Sequence, residues 1–172
     1  MASDGEAGMS DTHEWLPEPL RYNDFNGDWD KFLVAVYGIF DYDFKQSKPS
    51  YNGHPVTYDS RKENGKEVVF WHLIQGGKEP DLRRCERIPW PRPIIEHPAD
   101  KAISVWKNER PRRKGARQTR VLIWLEDLDY IVVLAEMRRV IVLVTAYCTD
   151  IKSQREKLRR ERAQYLEMQK PP

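Results

Sequence analysis

Residues 121–147 read VLIWLEDLDYIVVLAEMRRVIVLVTAY, and this stretch decides the fold class. It holds three runs of β-branched, aliphatic and aromatic residues, at 121–125, 130–135 and 140–147. That composition suits a pleated, largely buried surface. Short polar turns, Glu126-Asp127 and then residues 136–138, separate the runs. Links this short can join only antiparallel neighbours, because a parallel crossover needs about a dozen residues or more. The stretch is therefore a β-meander.

Upstream, Trp29, Phe32, Leu33, Val36, Ile39, Phe40 and Phe44 recur at helical spacing, with Asp28 as N-cap and Ser47-Lys48-Pro49 as the stop. Residues 49–66 are loop-rich around Asn52-Gly53 and Asn64-Gly65, with a short strand expected at 56–58. Residues 68–74 read as a strand ending at Gly76-Gly77. Pro80 suits the first turn of a short helix reaching Ile88, with Leu82, Cys85 and Ile88 facing the core. Residues 89–98 read as an extended proline-rich connector. Downstream, residues 152–169 form a charged helix whose apolar stripe is only Leu158, Tyr165 and Leu166. A helix so charged reads as a solvated tail, or else as a surface for a partner protein. The expected architecture is α+β: an N-terminal helix packed on a roughly four-stranded antiparallel sheet, with a C-terminal charged helix. One domain would span 15–150, between a disordered polar tail at 1–14 and the helix and tail at 151–172.

With 40% hydrophobic and 33% charged residues over 172 positions, the chain has a globular composition and enough length for a proper core. The longest aliphatic run, 140–144, is far short of the roughly 20 residues a membrane span needs. The acidic, polar N-terminus lacks the pattern of a secretory signal. Two cysteines, Cys85 and Cys148, make no stapled framework and read as buried thiols. A cytoplasmic protein with no membrane partner is expected.

The formal net charge is only +2, so the argument for a polyanionic partner rests on distribution. Lys107, Arg110, Arg112, Arg113, Lys114, Arg117 and Arg120 crowd one stretch against Glu109 alone. With Pro111 and Gly115 breaking regular structure, it reads as a mobile cationic arm suited to phosphates, or simply as a solubilising loop. A second group is His72 with Arg83, Arg84 and Arg87. Cleaving an RNA backbone without a metal needs a group to take the 2′-hydroxyl proton and an acid for the departing oxygen. It also needs cations around the crowded phosphorane. A histidine titrates near ~6.5 when unperturbed, and arginine forks match phosphate oxygens without losing charge. The competing reading is a half-buried strand histidine, with arginines paired to Glu79, Asp81 or Glu86. Thirdly, Thr145 and Tyr147 place two hydroxyls on one face of an otherwise aliphatic strand, for a phosphate or a stacked base. Tyr147 could equally mark where the strand emerges into solvent.

Metal and cofactor patterns are absent. Asp24, Asn26 and Asp28 mimic the start of a calcium loop, but Trp29 stands at its glycine and Ala35 at its closing glutamate. No Cys or His pair has zinc spacing, and no glycine-rich phosphate loop or nucleophile elbow occurs.

Residues 70–150 resemble the BECR superfamily of barnase, EndoU, colicin-type and RelE-type ribonucleases, in its phage- and mobile-element-associated group. The likeness is carried by Phe70-Trp71-His72, by residues 80–88 (PDLRRCERI), by Arg120 entering residues 121–124, by Asp129-Tyr130 and by Val144-Thr145-Ala146-Tyr147. It implies metal-independent endoribonuclease chemistry on the sheet face. With the converging histidine, arginines and hydroxyls beside the cationic loop, the expectation is an endoribonuclease of toxin or effector type, acting on RNA and, where one exists, held by an antitoxin or inhibitor protein. His72 would then be general acid or base, Arg84 and Arg87 would hold the scissile phosphate, and Thr145 and Tyr147 would complete the site. Arg83, Arg112, Arg113, Lys114, Arg117 and Arg120 would bind RNA, with Arg83 and Arg120 able to replace the chosen arginines. The alternatives are a non-catalytic nucleic-acid-binding module on the same basic surface, or a protein-interaction domain.

Overall fold

Asp28 starts the leading helix by accepting a hydrogen bond from the Lys31 amide at 3.1 Å. The first helix, α1 (Trp29–Phe40), buries Phe32, Val36 and Phe40, a stripe spaced by four. The coil then widens into a π-helical turn, Asp41–Gln46, which keeps Phe44 buried before Ser47 ends it. This computed structural model describes residues 13–112 and 115–172. Of the tail expected to be disordered, residues 1–12 lie outside that set. His13, by contrast, pairs with Asp127 at 3.0 Å, and Trp15 stacks between the rings of His13 and His97.

Two short hairpins follow: β1 (Ser50–Tyr51) with β2 (His54–Thr57), and β3 (Lys62–Glu63) with β4 (Lys66–Glu67). Residues 68–74 are then a helix, α2 (Val68–Ile74), and not a strand. Val69, Phe70, Leu73 and Ile74 are its buried residues, a helical spacing that burial selects over the β propensity of valine, isoleucine and the aromatics. Asp81 caps α3 (Leu82–Glu86), accepting from the amides of Arg83 and Arg84. Pro80 stays outside the helix, bridged to Gln75. Cys85 and Ile88 are buried as expected, but Leu82 is 43% exposed. The proline-rich connector contains a helical turn, α4 (Pro91–Glu96); Pro91 stands at a position where its fixed φ suits helix entry.

The meander runs through β5 (Ile103–Pro111), β6 (Arg117–Leu125), β7 (Tyr130–Met137) and β8 (Val140–Cys148). Most of the supposed basic loop is thus a paired hairpin. Alternation of Ile103 and Val105 against Ser104 and Trp106 drives it, and Pro111 occupies the last pair, where a missing amide costs least. The sheet is mixed and six-stranded, in the order β1-β2-β8-β7-β6-β5, where four antiparallel strands were expected. β2 adds to β8 in parallel, through Val56↔Ile141 and Thr57↔Val142.

One face of the sheet packs against α1, α2, α3 and α4 in the main core, which takes Val121, Ile123, Leu125, Val132, Leu134, Leu143 and Ala146. The other face carries a smaller cluster of Trp106, Leu122, Trp124 and Ile131, and α5 (Lys152–Met168) lies on it through Leu158. The charged helix is therefore docked and not a solvated tail, although Leu166 remains 54% exposed. No helix among the described residues is long and apolar enough to cross a membrane.

Candidate functional site

The site begins with one irregularity in β8. Val133 faces Thr145 while Leu134 faces Leu143, so Val144 is an extra residue. Such a bulge reverses the alternation beyond it. Ile141 and Leu143 point into the main core, then Ala146 does. Thr145 and Tyr147 consequently share the other face, and Tyr147 packs against the cluster under α5.

Around Tyr147 the structure gathers several of the anticipated residues. The Arg84 guanidinium lies over the Tyr147 ring at 5.7 Å, and its Nη1 donates to the carbonyls of His72 and Gln75 at the end of α2. Thr145 Oγ1 donates to the same His72 carbonyl at 2.9 Å. Arg120 stands in β6 between Asn108 and Ala135. Its Nε donates to Gln118 Oε1 at 3.2 Å, and among the described residues it has no carboxylate partner. Burial and then the Arg110 charge pull its pKa below the usual arginine value.

Burial pushes the Tyr147 phenol up, and the Glu161 carboxylate adds to this, while Arg110, Arg84 and Arg120 pull it down. Arg84 lies against the ring, and Arg110 and Arg120 project from the same face of the sheet as Tyr147. Glu161 reaches in from α5, 3.8 Å from Arg110 and accepting from Asn108 Nδ2 at 3.1 Å. Asn108 Oδ1 and Trp106 Nε1 are buried and make no hydrogen bond with the described residues. Arg84, Arg120 and the half-buried phenol offer donors to an oxyanion on this face, while Arg110 is already engaged by Glu161.

Other anticipated residues fall elsewhere. His72 is exposed on α2; its carbonyl joins the group, whereas its imidazole makes no hydrogen bond to Arg84, Arg120 or Tyr147. Arg83 pairs with Asp150. Arg87 donates to the Arg83 carbonyl at 3.1 Å and lies over Trp90 at 5.2 Å. Arg112 and Arg117 sit at the tip of the β5–β6 hairpin, Arg117 paired with Glu109 at 2.8 Å; Arg113 and Lys114 lie outside the described residues. Among those described, no three His, Cys, Asp or Glu side chains gather as a metal site would.

Asn108 and Glu161 escaped the sequence reading, and Arg110 counted there only as part of a loop. The alternation Trp106, Asn108, Arg110 was the available signal for two of them. Comparison with protein families, curated proteins and solved structures gives no match.

Proposed function

We propose that this chain is a metal-independent endoribonuclease of toxin or effector type, with its site on the face of the sheet around Tyr147. The observation that carries this reading is Arg120: a partly buried guanidinium with no carboxylate partner among the described residues, on the same face of the sheet as the phenol that lies under Arg84. Holding unneutralised cations together costs stability, and a bound phosphate would offset that cost. In the reaction the ribose 2′-oxygen attacks the adjacent phosphorus and the bond to the 5′-oxygen breaks. The products are a 2′,3′-cyclic phosphate and a 5′-hydroxyl. Arg84 and Arg120 would hold the phosphorane oxygens, and Tyr147 would orient the phosphate. From the exposed surface of α2, to which Thr145 and Arg84 tie the site, His72 would take the 2′-hydroxyl proton or deliver one to the departing 5′-oxygen, and solvent water would serve the other role. The resemblance of residues 70–150 to the BECR ribonucleases supports the same reading, and a toxin of this type would be held by an antitoxin or inhibitor protein where one exists.

The test is incubation of the purified protein with RNA in excess chelator. Wild type should release fragments with cyclic phosphate ends, and Arg120→Met should slow this by about 10²–10³-fold, the loss typical of one charge-stabilising donor. His72→Ala should abolish cleavage; full activity in that variant would remove His72 from the mechanism. A second reading, RNA binding without cleavage, is favoured by the separation of the His72 imidazole from the arginines. It expects salt-sensitive binding with no product, indifferent to His72 and lost on neutralising Arg112, Arg113 and Arg117.

A further inference from the structure

Among the described residues, three hairpins turn in two residues, and one of them is built differently. Asn52-Gly53 joins β1 to β2 and Asn64-Gly65 joins β3 to β4, with φ of 47° and 81°, and of 51° and 80°. These are the residues and the left-handed backbone that a tight hairpin favours. Arg138-Arg139 joins β7 to β8 through the Met137↔Val140 pair, and neither arginine has a positive φ. This turn forgoes both the preferred residues and the preferred backbone. A local choice made against the fold's own preference points to the work of the side chains.

Topology then gives the turn its neighbours. The parallel pairing of β2 with β8 brings the β1–β2 turn beside Arg138-Arg139, and the β5–β6 hairpin turns at the same end of the strands. Between them runs a groove of about 650 Å³, whose walls include Tyr51, His54, Lys107, Thr119, Arg138 and Arg139. Lys107 and Thr119 have the strand parity of Val105 and Val121, so the groove opens on the main-core face, opposite the Tyr147 group. The acids at this end are already engaged: Glu136 with Lys107 at 2.7 Å and Glu109 with Arg117 at 2.8 Å. Arg138 and Arg139 are exposed and have no carboxylate partner among the described residues.

We infer that this groove is a second nucleic-acid contact, in which Arg138 and Arg139 grip the phosphate backbone of single-stranded RNA at a distance from the Tyr147 group. The inference rests on RNA being the partner, which both functional readings share, and it does not require cleavage. Arginine forks match phosphate oxygens in pairs, and two adjacent arginines on one turn can hold neighbouring phosphates. The contact would carry affinity and salt dependence, not chemistry.

The probe is a fluorescein-labelled 2′-O-methyl oligouridylate, which cannot be cut by 2′-hydroxyl attack. Its affinity is read by fluorescence anisotropy across a salt series. Arg138→Gln with Arg139→Gln should weaken binding about tenfold and lower the salt slope by roughly 1.4, for two lost phosphate contacts at ~0.7 each. Arg138→Lys with Arg139→Lys should keep most of that slope. Single-turnover cleavage of the ribose oligomer at saturating protein should be unchanged in both variants. If the glutamine variant binds like wild type, or the lysine variant loses as much as the glutamine one, the groove is not a phosphate contact. Absence of any binding by wild type would also overturn it. Intact binding with no cleavage would overturn only the endoribonuclease reading.

Discussion

Replacing Leu158 with alanine asks what holds α5 on the sheet. Leu158 is 4% exposed, the only buried residue of that helix, and lies against Trp106, Leu122, Trp124 and Ile131. The remaining anchors are mostly ion pairs: Arg159 and Arg162 to Glu126 at 2.7 and 2.9 Å, and Arg155 to Asp129. Burying a leucine contributes roughly 1.5–3 kcal/mol, whereas partly exposed ion pairs contribute about 0.2–1 kcal/mol each. The leucine is therefore about as large as all the pairs together. A detached α5 would fray, since most helical stability in proteins comes from packing of the apolar face and α5 has little beyond Leu158 to offer. Truncating a buried leucine costs roughly 2–5 kcal/mol when the helix stays in place. Here the helix has a cheaper route, which is to leave. Its undocked population should rise by about 10–100-fold, at ~1.4 kcal/mol per tenfold. Amide hydrogen exchange reads this directly: α5 should lose protection while β6 and β7 keep theirs. Tryptophan fluorescence should shift as Trp106 and Trp124 meet water. Equal loss of protection in α5 and the sheet would refute the reasoning, because α5 would then unfold only with the whole domain.

Two further outcomes follow from burial of ionisable groups. Burial pushes the Asp43 carboxyl up to about 6, against the pull of Arg92; the folded state thus holds this proton more tightly than an unfolded aspartate (~3.9) does, and stability declines as pH rises between those values. Asp43→Asn should accordingly be near neutral at pH ~4 and stabilising by about 1–2 kcal/mol at pH ~7 in urea titrations, and an equal effect at both pH values would contradict it. Burial also pushes the Cys85 thiol up to about 12 and raises Cys148 as well, so neither should react with a disulfide reagent at pH ~8 until guanidinium unfolds the chain; rapid native labelling of Cys85 would mean that α3 opens readily.

The three strands β6, β7 and β8 were legible because their apolar runs are nearly continuous and their turns short. β5 was hidden by its charge: Lys107, Glu109 and Arg110 are exposed, so no apolar alternation marks its outer half. α2 was misread because its residues favour strands. The grouping Val69, Phe70, Leu73, Ile74 fits a helix equally well, and only packing beside β8 decides between them. At the site, Arg84, Arg120, Thr145 and Tyr147 stood out by residue type. Glu161 could not, because it joins them only when α5 folds back over the sheet, and an apolar stripe as sparse as that of α5 does not specify where it docks.

The bulge at Val144 explains why a Thr-Ala-Tyr sequence interrupts an aliphatic strand. With strict alternation, Thr145 and Tyr147 would follow Ile141 and Leu143 into the main core and Ala146 would turn outward. Two hydroxyls would then be buried among leucines and isoleucines, each costing about 1–3 kcal/mol if unpaired. The extra residue exchanges the faces. Ala146, small enough for close packing opposite Val132, goes inward, while Thr145 finds the His72 carbonyl and Tyr147 comes under Arg84. β2 ends at Thr57, opposite Val142, and beyond that point α2 and α3 pack against β8 and bring Arg84 with them. A single irregular residue thus places both hydroxyls on the face where Arg84 meets Tyr147. This is how a structural core strand comes to end in the polar group on which the functional proposal rests.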